Sequence, residues 1–439
     1  MRVSTDIIRS QFASAMSIMY REEVPQYSTL LSLVKNTNEA CAQNPSENDN
    51  VLLGAERHGA IRLGTASELS TIRRLFAVMG MYPVDYYDLS IAGIPVHSTA
   101  FRATNLKAMN ISPFRIFTSL LRLDLIENKK LRKLTEQILA KRQIFSKSLL
   151  ELIKVSEHSQ GLTHTQAREF VFETIEVFRW HKEAMVDKKT YEELNQTHRI
   201  IADVVSFKGP HINHLTPKIL DIDLAQKEMS KQGFNTKQRI EGPPLRICPI
   251  LLRQTSFIAL QEPINFANGE SGTHTARFGE IEQRGIALTE KGRALYDRLL
   301  EQVSNNSGDY QKQLELAFVE FPDSHEVLRE QGLAYYYYTA HADLQKASSD
   351  GVFTIDELIQ KGSLRFSPIL YEDFLPVSAA GIFQSNLSGQ EKQETKHNPN
   401  KISFEKDLGV QLINSFSLYE KIQQESLEKA LEQLGVQLK

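Results

Sequence analysis

The sequence predicts an α+β fold built from two curved strand–helix–strand units around a metal, with extensive added helices. Two regions share one order: a strand carrying a histidine, then a helix, then further strands. Three residues able to ligate a metal, His58, His214 and Glu280, fall on those strands. Of 439 residues, 41% are hydrophobic and 24% charged, enough apolar material for one large domain spanning residues 1–439.

Residues 1–50 read as a helical segment. Its opening, MRVSTDIIRSQFASAMSIMYREEVP, is amphipathic and lacks a long apolar core, so it reads as a helix of the mature protein. Residues 51–105 form the first βαββ unit. RHGAIRLGT alternates like a strand, and Thr65 and Glu68 stand at capping-box spacing. Leu69, Ile72, Leu75, Phe76 and Met79 follow at helical spacing, and Gly80 can end the helix. VDYYDLS and PVHSTAFRA read as strands on either side of a Gly93–Pro95 turn.

Residues 112–200 read as a helical insertion that opens at Ser112-Pro113 and carries the single Trp180 on a packing stripe. Residues 201–300 form the second βαβββ unit with the metal site. Within it, HINHLT is strand-like, ILDIDLAQKEMSKQG is helical, and strands lie in PPLRICPILLRQTSFIAL and THTARFGEIEQRGIAL. Residues 301–439 read as a helical region in which Tyr335–Tyr338 pack along a helix. A polar stretch at 385–401 reads as a flexible loop, and the tail as one amphipathic helix or a helix pair.

Charge and cysteine content exclude several classes. A net charge of −3 gives no nucleic-acid signature, and the Lys129–Lys133 cluster reads as a solvated helix face. Two cysteines without a CxxC pattern argue against a disulfide framework and fit a reducing compartment. No apolar run reaches the roughly 20 residues of a membrane span. The expectation is a cytoplasmic protein. No P-loop, GxGxxG or GxSxG pattern is present.

Chemistry therefore rests on a few strand positions. Two imidazoles and a carboxylate can hold a redox metal on one face and leave the other open. Arg62 lies four residues after His58, on the same face of an extended strand. Its guanidinium can grip a substrate carboxylate in two places, or pair with a structural acid. His211 and His214 lie three apart, and in an extended segment only one reaches a given site. In ARFGEIEQRG, Phe278, Glu280, Glu282 and Arg284 alternate onto one face. Two acids on a core face are costly unless paired or metal-bound, and spacing does not choose between Glu280 and Glu282. His97 and His274 read as structural or supporting residues.

ERHGAIRLGTASEL, RLFAVMGMYPVDYYDLS, PVHSTAFRA, FKGPHINHLTP, HTARFGEIEQRG and YEDFLPVSAAGIFQSNL together resemble the 2-oxoadipate dioxygenase/decarboxylase, or hydroxyglutarate synthase, family. The resemblance runs over nearly the whole chain, and that family is similar to the vicinal-oxygen-chelate superfamily with its paired βαβββ modules. It implies iron(II) held by His58, His214 and Glu280, with Glu280 preferred to Glu282 and His214 to His211. It implies that Arg62 contacts substrate in catalysis, that His58 also borders the substrate, and that Val377 (through its backbone) and Ser378 line the pocket. The implied partners are O2 and a 2-oxo diacid, and the implied reaction turns 2-oxoadipate into 2-hydroxyglutarate and CO2, as in lysine breakdown. A redox-neutral metal lyase or isomerase of the same superfamily, or a non-enzymatic metal- or metabolite-binding protein, are the alternatives.

Overall fold

The computed structural model describes residues 2–41, 56–237, 239–257, 259–275, 277–303, 310–341, 352–375 and 399–439. These residues divide into two compact units. The first comprises Met1–Glu241, Gln254–Gln283 and Phe374–Ile413, and the second Gly242–Arg253, Arg284–Asp373 and Asn414–Lys439.

In the first unit, helices α1 (Thr5–Glu23) and α2 (Pro25–Cys41) precede strand β1 (Glu56–Leu63) and helix α3 (Ala66–Val78). The expected capping box is formed: Thr65 accepts from the Glu68 amide, and the Glu68 carboxylate returns to the Thr65 amide. Strands β2 (Tyr82–Asp88) and β3 (Val96–Arg102) follow, then helix α4 (Leu106–Ile111) and strand β4 (Arg115–Leu121). The expected helix start at Ser112-Pro113 is thus the end of a short helix, because Ser112 is the C-cap of α4. RIFTSLL is a strand, buried at every position. A strand buried on both faces loses its alternation and cannot be told from a buried helix by periodicity. Helices α5 (Lys129–Lys141), α6 (Lys147–Ser159), α7 (His164–Phe178), α8 (Lys188–Thr197) and α9 (Arg199–Ser206) make up the rest of the insertion.

Strand β5 (Leu215–Pro217) completes a five-stranded sheet of order β2-β3-β4-β1-β5. β1 runs parallel to β4, with His58 opposite Arg115 and Arg62 opposite Ser119. It runs antiparallel to β5, with His58 opposite Thr216. Helix α10 (Ile222–Lys231), strand β6 (Leu252–Ser256), hairpin β7 (Gln261–Asn265) with β8 (Ser271–Thr275), and β9 (Glu280–Arg284) follow. β9 pairs with β6 and continues from β5 through a parallel bridge between Lys218 and Glu282.

Side chains alternate across β1, so the sheet has two different faces. Ile61 and Leu63 join a core with Phe12 of α1, Leu75 of α3 and Phe178 of α7. Ala60 belongs to a second core with Phe117 and Ile201 on the opposite face, where His58 and Arg62 also emerge.

The second unit is less helical than its sequence suggests. Tyr336–Ala340 forms strand β10 and pairs antiparallel with β11 (Leu364–Pro368), so the tyrosine run lies mostly in a sheet rather than on a helix. A long helix, α11 (Ser415–Leu434), serves that strand: Gln423 accepts from the Tyr336 amide and Ser426 from the Tyr338 amide. The loop expected at 385–401 lies outside the described residues except for 399–401, which open the helix Pro399–Leu408. Cys41 and Cys248 are both free thiols. Among the described residues, no helix is long and apolar enough to cross a membrane.

Candidate metal centre

His58, His214 and Glu280 meet on the second face of the sheet, all in the first unit. One donor atom from each lies within 4.8 Å of the other two, and all three residues are buried. His58 arrives on β1. His214 lies not on a strand but at the end of the irregular segment 211–214, just before β5, and the amide of its neighbour Asn213 donates to Ala60 O at 2.9 Å. Gly59 permits this approach: a Cβ there would stand 2.5 Å from Ile212 Cδ1 and 3.2 Å from His214 O. Glu280 arrives on β9.

The two acids that spacing leaves unresolved take different places. Glu280 Oε1 lies 3.1 Å from His58 Nε2 and 3.8 Å from His214 Nε2. Glu282 lies on the other side of the same ring, its Oε2 2.9 Å from His58 Nδ1. A carboxylate placed behind an imidazole favours the proton on that side and strengthens the opposite nitrogen as a metal donor; here the contact is a close ionic one rather than an aligned hydrogen bond. Glu280 is itself held by Gln254, which donates at 2.8 Å, and by Thr216, at 3.1 Å. Phe374 meets the His58 ring edge-on at 4.9 Å, and Phe278 covers His214 at 4.6 Å.

This donor set fits a metal. Among the described residues, neither nitrogen of His214 has a hydrogen-bond partner, although the residue is only 2% exposed. A buried, unpaired polar group costs free energy that coordination would recover. Burial pulls the His214 imidazole down to about 3, against the attraction of Glu280, so it is neutral and ready to ligate. Burial would lower His58 too, but Glu282 and Glu280 outweigh it and raise the ring above its ordinary value. Burial would raise Glu280, yet His214, His58 and Lys237 hold it as a carboxylate below the usual range. Nitrogen, nitrogen and oxygen donors with open positions are the set used by non-haem iron.

Arg62 lies on the same face as His58 and donates from Nη1 to Asp203 Oδ2 at 2.7 Å. The acid partner named as the alternative therefore exists, and the Arg62 side chain keeps 14% exposure. His211 turns away from the three donors toward Asp203, its Nε2 at 3.3 Å from Oδ1. His274 joins the same acid. His97 stands apart, beside Tyr86 and Phe404. Trp180 packs edge-on to His211 and parallel to His274. Val377 and Ser378 lie outside the described residues.

Sequence reasoning missed Asp203, Gln254 and Thr216. Asp203 did carry a signal: it is one acid among Ile200, Ile201, Ala202, Val204 and Val205, all buried. A charge inside such a stretch requires a partner.

The family model described as 2-oxoadipate dioxygenase/decarboxylase matches residues 12–386. The chain belongs to this family. A curated 2-oxoadipate dioxygenase/decarboxylase from Pseudomonas putida is 51% identical over 455 residues, covering 99% of this chain and 98% of that one. The crystal structure of hydroxyglutarate synthase from Pseudomonas putida in complex with 2-oxoadipate is similar at a TM-score of 0.90 and 51% identity, covering 99% of both chains. A putative glyoxalase superfamily protein from Ralstonia eutropha JMP134 shares the fold at a TM-score of 0.50 and 15% identity, over 65% of this chain and 85% of its own. The fold of this 2-oxoadipate dioxygenase/decarboxylase family member is thus a mixed α/β one, with distant neighbours of the glyoxalase type.

Proposed function

We propose that this chain is an iron(II)-dependent dioxygenase that converts 2-oxoadipate and O2 into 2-hydroxyglutarate and CO2. The carrying observation is the buried His58–His214–Glu280 group, with both His214 nitrogens unpartnered among the described residues, in a chain of this family. The reaction balances without a second organic substrate, because 2-oxoadipate carries its own 2-oxo acid. We also read the two strand–helix–strand units as paired βαβββ modules: β1 beside β4 in one, and β5 beside β9 in the other, each carrying a histidine at or beside its first strand.

His58, His214 and Glu280 would hold the metal, which when bound supplies coordination positions for the 2-oxo acid and the electrons for activating O2. Glu280 contributes the negative charge, and Gln254 and Thr216 keep its Oε1 aimed inward. Phe374 and Phe278 keep water from the imidazoles, which strengthens every electrostatic interaction there. The edge of Arg62 not engaged by Asp203 would take the second carboxylate of the diacid, orienting the chain and selecting against monoacids. Val377 and Ser378 would border the same substrate.

An oxygen-electrode trace with iron(II) and 2-oxoadipate, run against 2-oxoglutarate, tests this. O2 uptake equal to CO2 release is expected, and turnover under anaerobic conditions would eliminate the dioxygenase in favour of a redox-neutral lyase. Arg62→Ala should keep its iron and lose kcat/KM about a hundred-fold or more, the scale of one truncated partner in a buried charge pair. His58→Ala should lose both iron and turnover.

A further inference from the structure

Arg62 is not alone on its side of the site. Behind it stands a chain of buried groups on four separate segments, and none of them is a candidate metal ligand. Arg62 Nη1 donates to Asp203 Oδ2 at 2.7 Å. Asp203 Oδ1 lies 2.8 Å from His274 Nε2 and 3.3 Å from His211 Nε2. His274 Nδ1 lies 2.8 Å from the Tyr191 hydroxyl.

The carboxylate sets the hydrogen that faces it. An aspartate carboxylate can only accept, so His274 carries its proton on Nε2. In the neutral ring Nδ1 accepts, and the Tyr191 hydroxyl donates to it. The ring that transmits this order is clamped: Trp180 lies parallel to His274 at 6.0 Å and 7°. Asp203 therefore has both oxygens engaged and cannot turn. It is 5% exposed and His274 3%. Burial would raise the Asp203 carboxyl, but His211 and Arg62 hold it well below the usual range.

An acid beside a substrate-binding arginine opposes its attraction for an anion, which is a poor arrangement for raw affinity. It is a good one for geometry. With Nη1 engaged, the guanidinium is held in one orientation and offers only its remaining edge. A rigid planar fork loses little entropy when it captures a carboxylate, provided that carboxylate is in the right place.

We propose that Asp203, held from behind by His274 and Tyr191, is a positioning residue that fixes Arg62 and thereby sets which length of 2-oxo diacid the site accepts. The proposal rests on the reading of Arg62 as the contact for the distal carboxylate.

The test compares kcat and KM of the iron-loaded enzyme for 2-oxoadipate, 2-oxoglutarate and the monoacid 2-oxohexanoate, with iron content and anaerobic Kd for 2-oxoadipate measured alongside. Asp203→Asn should keep its iron. Its kcat/KM preference for 2-oxoadipate over 2-oxohexanoate should fall about ten- to a hundred-fold, the range of one hydrogen bond to a charged group, chiefly through KM. Its discrimination against 2-oxoglutarate should relax with it. Tyr191→Phe removes only the outermost donor and should move the same ratios in the same direction by a few-fold; it decides the matter if the Asn variant does not fold. Unchanged ratios in a folded variant, or equal losses on all three acids, overturn the positioning role and leave the dioxygenase reading standing. Absence of O2 uptake by the wild-type enzyme with 2-oxoadipate removes both.

Discussion

At the scale of single residues, the site turns on a distinction that alternation along a strand cannot make. Glu280 and Glu282 share one face of β9, and both reach His58, but from opposite sides of its ring. Two residues of travel along a strand is enough to carry a carboxylate from one ring nitrogen to the other. Which acid would serve a metal depends on where His214 stands, and the approach of that segment is set by tertiary contacts near Gly59 rather than by spacing. Glu282→Gln should therefore weaken metal binding about ten- to a hundred-fold, the usual effect of losing a ligand's outer partner, without abolishing it. Glu280→Gln should abolish it. Competition with a chromophoric chelator measures both, and an unchanged affinity in Glu282→Gln would remove its supporting role. Arg62 shows the same limit: four-residue spacing put it on the face of His58, yet only the fold shows that Asp203 already occupies part of it.

At the scale of elements, legibility followed pattern strength. The helix Ala66–Val78 was readable because its cap and its stripe agree. β4 was not, because a strand with every side chain buried carries no period-two signal. Tyr336–Ala340 was misassigned for a related reason: four tyrosines in a row fit either element, and what decides is the pairing with Leu364–Pro368. β3 offers a test of how tightly the sheet is closed. His97 is buried there, and burial together with Arg122 pulls its imidazole down to about 4. The unfolded chain takes up that proton near pH 6.5, whereas the folded chain resists it. His97 thus contributes its full stabilisation above pH 6.5 and loses it as pH falls toward 4, about 3 kcal/mol in all. His97→Gln should flatten the fall of the urea midpoint across that window. An unchanged slope would place the acid sensitivity elsewhere.

At the scale of the whole molecule, all three proposed ligands belong to the first unit, although they come from segments far apart in the chain. A metal joining β1, the segment before β5, and β9 closes long loops at once, and whatever binds only the folded state stabilises it by mass action. At free metal a hundred times Kd that gain is about 2.7 kcal/mol. It should be local. The second unit has its own paired strands, Tyr336–Ala340 with Leu364–Pro368, and its own long helix, Ser415–Leu434. Among the described residues, the grouped metal donors all lie outside it. Hydrogen exchange on apo and anaerobically iron-loaded protein should therefore show protection gained in residues 56–63, 213–217 and 280–283, with little change in 336–340 and 415–434. Local opening governs exchange in such segments, so a metal that ties three strands together suppresses their opening first. Equal gains in both units would show instead that they open as one and that the metal tightens the entire chain.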